Sequence, residues 1–228
     1  MKFIIDSGNV PRIQRVLEWL PADGISINPS LTAREGKAFF SLVQELLEIS
    51  SGEVYAQVIA EDVGGIVREA HEIHKLNPEW IIVKIPATEA GFAAMKILQP
   101  TNMRICATAA FNLTQAVTAA KLGAYAIAPY VSRVDRAGGS GIGLVRQIKT
   151  MLTTYGFPTL VIAASVKSAG QLAELIELGS DGVSAAPELY PEAIQHHLTD
   201  KAVELFRADW QRTYQEMSIH SDLAPVDD

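Results

Sequence analysis

The chain reads as an α/β protein, a (β/α)8 TIM barrel carrying one extra C-terminal helix. Short apolar, β-branched segments alternate with amphipathic stretches along the 228 residues. Eight strand-like segments fall between residues 2 and 185, the number and the spacing that such a barrel uses. No glycine fingerprint follows the first strand, as an open dinucleotide-binding sheet would need.

Taken in order, the predicted strands are 2–6, 24–28, 54–59, 80–85, 103–108, 125–129, 159–164 and 181–185. The run 80–86 is apolar and β-branched apart from Lys84, the kind that reads as a parallel strand buried on both faces. Helical spacing is clear in Val10-Ile13-Val16-Leu17-Leu20 and in Ile66-Ala70-Ile73. It recurs in Phe92-Met95-Leu98, Leu113-Ala116-Val117-Ala120 and Leu172-Leu175-Ile176. Beyond the eighth strand a further helix is predicted from Asp200 to about Gln215, with Val203, Phe206, Trp210 and Tyr214 in one stripe. That stripe must pack on the chain's own barrel or on a neighbouring subunit. No linker composition interrupts the chain, so residues 1–215 read as one domain and 216–228 as a disordered tail.

Composition narrows the classes of function. With 48% hydrophobic and 20% charged residues the chain is ordinary globular protein. A net charge of -7 argues against nucleic acid or an anionic membrane as partner. The single cysteine, Cys106, excludes an internal disulfide and fits a reducing cytoplasm. No apolar stretch approaches the ~20 residues of a membrane span, and the first strand begins without a signal-peptide core. The expectation is a soluble, cytoplasmic protein.

Lys84 is the residue that breaks the pattern. It interrupts the run Trp80-Ile81-Ile82-Val83-Lys84-Ile85-Pro86 near the end of the fourth strand. A cation there must snorkel to water, find a partner, or lose its proton. A free lysine titrates near ~10.4, so about one in 2,500 is neutral at pH 7. Desolvation that brought such a group to about 7 would raise the nucleophilic fraction roughly a thousandfold. Barrel enzymes carry their chemistry at the C-terminal strand ends. Those ends hold Asp6, Asn28, Gln57, Lys84, Thr108, Tyr130 with Arg133, and Ser165 with Lys167. Each has a structural alternative: Asp6 as a helix cap, Asn28 in a turn with Pro29, Thr108 and Ser165 satisfying backbone groups. Arg133 and Ser165 combine charge with a hydroxyl donor, a better phosphate site than the glycine-rich loop 137–141.

Absences restrict the mechanism further. None of the five histidines lies at a predicted strand end, so a Ser-His-Asp arrangement lacks its base. Metal-dependent aldol chemistry lacks its ligands by the same reading, and neither a metal nor a cofactor is called for. Cys106 shares strand parity with Thr108 and reads as a small core filler.

These residues resemble the small transaldolase family, on its fructose-6-phosphate aldolase side. The likeness rests on Asp6, Gly24 through Asn28-Pro29-Ser30, Ala56-Gln57, Val83 to Thr88 with Glu89 and Gly91, and Ala107-Thr108-Ala109. It continues through Ala128-Pro129-Tyr130-Val131 with Arg133 and Asp135, the loop Gly138 to Gly141, Ala163-Ala164-Ser165 with Lys167, and Phe206-x-x-Asp209-Trp210. The resemblance implies a Schiff-base lysine at Lys84 and a proton-transfer carboxylate at Asp6. It implies that Gln57, Thr108 and Tyr130 hold the catalytic water and act as its acid and base. Ser26 and Asn28 would contact donor hydroxyls, and Arg133 and Ser165 the phosphate. The aldolase side of the family carries Gln and Tyr where transaldolases carry Glu and Phe, and this chain has Gln57 and Tyr130. It departs from the family pattern at Ser26-Ile27, at Ser132, and at Phe111 where a Tyr is common.

The reaction so implied is a metal-independent class I cleavage of fructose 6-phosphate, or a related ketose, to dihydroxyacetone and glyceraldehyde 3-phosphate. A transaldolase passing the same three-carbon unit between sugar phosphates is the alternative. A non-catalytic sugar-phosphate-binding barrel is the second. The expected partners are a small sugar or sugar phosphate and copies of the chain itself, a pentamer or decamer by resemblance.

Overall fold

In the computed structural model, which describes residues 1–215 with Ser218 and Ile219, eight parallel strands close in the order β1 to β8. They are β1 Lys2–Asp6, β2 Gly24–Ser26, β3 Glu53–Gln57, β4 Ile81–Pro86, β5 Ile105–Ala110, β6 Ala126–Pro129, β7 Leu160–Val166 and β8 Gly182–Ala185. Closure comes from β8 pairing with β1 through Phe3↔Val183 and Ile4↔Ser184. This is the predicted (β/α)8 barrel. Seven of the eight strands are displaced at one or both ends from their predicted limits, by one to two residues.

The helices between strands are α1 Val10–Leu17, α2 Pro29–Glu35, α3 Phe39–Ile49, α4 Val63–Leu76, α5 Glu89–Leu98, α6 Leu113–Lys121, α7 Val131–Arg136, α8 Gly141–Tyr155 and α9 Ala169–Leu178. They are followed by α10 Leu189–Ile194 and α11 His197–Tyr214. Two connections hold a pair of helices where a barrel needs one: α2 with α3, and α7 with α8. Asn28 and Pro29 start α2, the Asn28 Oδ1 accepting from Leu31 N–H at 3.1 Å and Pro29 occupying the first turn.

Strand alternation builds two apolar layers. Ile5, Ile25, Val54, Val83, Ala107, Ile127, Ala163 and Val183 face the helices within one continuous core. Residues of the opposite parity fill the barrel: Ile4, Tyr55, Ile82, Cys106, Ala126, Ala128 and Ile162. One step toward the N-terminal strand ends, Glu53 receives hydrogen bonds from Tyr55 (2.7 Å) and Tyr125, and pairs with Lys2 at 2.8 Å and Arg104 at 3.1 Å. That cluster shuts the barrel at the end opposite the chemistry. A cleft of about 430 Å3 lined by Arg104 and Tyr125 lies at this closed end, remote from the C-terminal strand ends.

Contacts divide the chain into two compact units, Met1–Ala193 and Ile194–Asp228. The first is the barrel. The second contains α11, in which no residue is buried and Val203, Phe206 and Tyr214 are exposed. Trp210 and Tyr214 stack along this helix with ring centroids 4.4 Å apart. The predicted disordered segment 216–228 lies outside the described residues except for Ser218 and Ile219. Among the described residues no helix is long and apolar enough to cross a membrane.

Candidate active site

Period-two alternation, which fills the barrel with Ile4, Tyr55, Ile82 and Cys106, gives Asp6, Gln57, Lys84 and Thr108 the same inward parity one step nearer the mouth. Ser26 sits beside Asp6 in the β1–β2 register, and Gln57 is paired with Lys84 between β3 and β4. The polar ring therefore rests on an apolar floor.

Lys84 is buried, 6% exposed, so it does not snorkel to solvent. Its ammonium donates to Ser26 Oγ at 2.9 Å and to the Ile27 carbonyl at 3.2 Å, reaching past β3 to the end of β2. No carboxylate forms an ion pair with it among the described residues. Both acceptors are uncharged, and together they hold the nitrogen in place. Burial pushes the Cys106 thiol, paired with Lys84 in the β4–β5 register, up to about 12, with the Lys84 charge opposing the shift. Cys106 is thus a protonated core residue, not a thiolate nucleophile.

Thr108 is fully buried, and its Oγ1 lies 3.2 Å from the Tyr130 hydroxyl, either atom able to donate. Phe111 packs edge-on against the Tyr130 ring, and the Arg133 guanidinium lies over that ring at 4.9 Å. Gln57 Oε1 is shut off from solvent and has no hydrogen-bond partner among the described residues. Asp6 is half-buried, and Asn9, not Asp6, caps α1 through a bond from Arg12 N–H. Burial, reinforced by the Asp6 carboxylate, raises the pKa of the neighbouring Tyr190 hydroxyl.

Asn28 caps α2 rather than making a simple turn with Pro29, its Oδ1 accepting from Leu31 N–H. Ile27, where the family pattern has a hydroxyl, buries its side chain in the outer core and offers only its carbonyl to Lys84. The hydroxyl lost there is lost from the packing side of β2, while the one kept at Ser26 touches Lys84.

Two features had no sequence signal. Ala109 and Ser165 adopt left-handed backbone conformations, φ 54° and 57°, without being glycine. Each coincides with a register irregularity, between Thr108 and Ala110 and between Ala163 and Val166. Strict alternation would send Ser165 to the helix side with Ala163; the bulge makes it the extra residue and removes it from that layer. Such strain costs about 1–3 kcal/mol per residue and persists where the surrounding structure holds it. The glycine-rich loop has a structural explanation: Gly141 N–H donates to Asp135 at 2.7 Å and Gly143 N–H to Ser140 at 3.0 Å. A side chain on Gly141 would collide with the Val131 carbonyl, so that glycine serves helix packing. Gln171, which links α7 to the loop after β7, was also missed; glutamine in a helix carries no signal of its own.

The chain matches the sequence profile described as transaldolase/fructose-6-phosphate aldolase over residues 3–222. It is 35% identical over 212 residues to a probable transaldolase of Coprothermobacter proteolyticus, covering 93% of this chain and 97% of that protein. It is 37% identical over 211 residues to a probable transaldolase of Methanococcus maripaludis, covering 92% and 98%. For the probable transaldolase of Paracoccus denitrificans the identity is 34% over 217 residues, covering 95% and 100%. Among solved structures, a flavocytochrome b2 variant with sulfite bound superposes with TM-score 0.60 at 12% identity, over 96% of this chain and 67% of its own. At that identity the likeness is one of barrel fold alone. The chain belongs to the transaldolase/fructose-6-phosphate aldolase family.

Proposed function

We propose that the protein is a class I aldolase that cleaves fructose 6-phosphate, or a related ketose, to dihydroxyacetone and glyceraldehyde 3-phosphate. The observation that carries this is the buried Lys84 amine, held by Ser26 and Ile27 on the ring that also bears Asp6, Gln57 and Thr108. The neutral amine attacks the C2 carbonyl to give a carbinolamine, and loss of water leaves an iminium. Removal of the C4 hydroxyl proton, the role assigned to Asp6, lets the C3–C4 bond break. Its electron pair moves toward the iminium nitrogen. The aldehyde leaves, and an enamine remains on Lys84. Protonation at C3 and hydrolysis, with a water held by Gln57, Thr108 and Tyr130, release dihydroxyacetone and restore the amine. Ser26 and Asn28 contact the donor hydroxyls; Arg133 and Ser165 hold the phosphate. This scheme asks for neither metal nor cofactor.

A transaldolase is the second reading, favoured by the relatives' names. There an aldose captures the enamine before it is protonated. Gln57 and Tyr130, the aldolase-side pair, support cleavage. We also propose a homo-oligomer, supported by the exposed Val203 and Phe206 of α11, and a cytoplasmic location, which fits the single free cysteine Cys106.

Borohydride reduction in the presence of dihydroxyacetone should add one reduced three-carbon unit to the Lys84 peptide, and Lys84→Ala should lose both adduct and turnover. Product analysis with and without erythrose 4-phosphate then separates the reactions. Free dihydroxyacetone in its absence marks cleavage; turnover only with the acceptor marks transfer. An intact protein that forms no adduct and turns over neither way is the silent sugar-phosphate-binding barrel.

A further inference from the structure

We propose that Gln171 is a positioning residue for the phosphate end of the substrate, latching together the two segments that grip it; this rests on the phosphate role of Arg133 and Ser165. Those residues belong to different elements. Arg133 is on the six-residue α7, and Ser165 and Lys167 lie at the end of β7 and just beyond. An isolated bridge pairs Tyr130 with Ala164, setting the two segments side by side. A short helix and a bulged strand end have little intrinsic rigidity, so something must fix their separation.

Gln171, in the first turn of α9, does so with its whole amide group. Its Oε1 accepts from Ser132 Oγ at 3.0 Å and from the Lys167 backbone N–H at 2.8 Å. Its Nε2 donates to Asp135 Oδ2 at 2.8 Å, and the other Asp135 oxygen accepts from Gly141 N–H at 2.7 Å. Orientation of the amide is not open: a backbone N–H only donates and an ionised carboxylate only accepts. Ser132 and Asp135 flank Arg133 on α7, while Lys167 is two residues past Ser165. One side chain therefore ties residues before and after Arg133 in the sequence to the strand end that supplies the hydroxyl. Ser132, buried and one of this chain's departures from the family pattern, provides the α7 hydroxyl of the latch.

Gln171 touches no part of the Lys84 ring through any of these bonds. Its loss should therefore weaken recognition of phosphate and leave carbon–carbon chemistry intact. The test uses full-length protein with dihydroxyacetone as donor and two acceptors, glyceraldehyde 3-phosphate and unphosphorylated glyceraldehyde. Gln171→Leu, which removes all three hydrogen bonds of the amide, should raise KM for the phosphorylated acceptor about tenfold. It should change kcat/KM for the unphosphorylated acceptor less than about twofold. Ser132→Ala, which removes one bond of the latch, should give a smaller effect of the same kind and serves if Gln171→Leu does not fold. Equal loss with both acceptors, or no change with either, overturns the proposal. Arg133→Ala is assayed in parallel. If it too fails to reduce the preference for the phosphorylated acceptor, the phosphate reading itself is wrong; if it succeeds where the latch variants do not, only the latch is.

Discussion

The contacts of Tyr130 divide between its ring and its oxygen. Phe111 packs edge-on against the ring, Arg133 lies over its face, and the hydroxyl meets Thr108 at 3.2 Å. Tyr130→Phe keeps both ring contacts and removes only the proton-transfer group. The expected result is a loss in cleavage rate of about a hundredfold, with borohydride trapping on Lys84 retained. Rates measured with and without an aldose acceptor should show transfer falling less than cleavage, since transfer does not require the enamine to be protonated. Unchanged cleavage would show that Tyr130 has no part in proton transfer. At this scale Lys84 was legible because a cation interrupts an apolar run, while the face it takes follows from the barrel. Ser165 was legible as a hydroxyl but not in its conformation, since nothing in a serine announces φ 57°.

Among the elements, α11 leaves apolar side chains in water: Phe206 is 71% exposed and Val203 58%. Covering such a patch is a standard source of association free energy. Phe206→Asp should therefore lower the molar mass seen by light scattering, with the barrel's circular dichroism unchanged. An unaltered mass would remove this face from the assembly. The stripe itself could be read from its i, i+3, i+4 spacing. The pair α2 and α3 was harder, because Asn28-Pro29 reads equally as a turn or as a cap with proline in the first turn. The loop 137–141 invited a ligand reading and proved to be a helix start with its first amides capped from within the chain.

Across the whole molecule the barrel interior changes character along its axis, from an ion cluster around Glu53, through apolar side chains, to the polar ring of Lys84. Desolvation pushes the Glu53 carboxyl up, but hydrogen bonds from Lys2, Tyr125 and Tyr55 outweigh it and hold the pKa below the ordinary 4.5. A carboxylate lowered on folding stabilises the native state above its unfolded pKa, and this contribution is lost as pH falls through the folded value. Lys2 shows the opposite sign: desolvation lowers its pKa, but Glu53 and Tyr125 raise it above 10.5, so its contribution is lost on the alkaline side. Glu53→Gln should cost about 3 kcal/mol at pH 7, the low end for breaking a buried pair, because Lys2 and Arg104 remain 29% and 31% exposed. Urea denaturation should show the gap between variant and parent closing as pH falls below 4.5. A gap of constant size would mean that the Glu53 charge does not provide the stability.

The sequence by itself determined the alternation of strand and helix, and with it the place of Asp6, Gln57, Lys84 and Thr108 at the ends of their strands. Both rest on local periodicities, written in every residue of an element. Only the tertiary structure decided which partners Lys84 has, where the bulges turn Ala109 and Ser165, and that Gln171 joins two segments of the rim. These depend on contacts between residues far apart in the chain. Register and closure of the barrel create them, and no single segment carries their pattern.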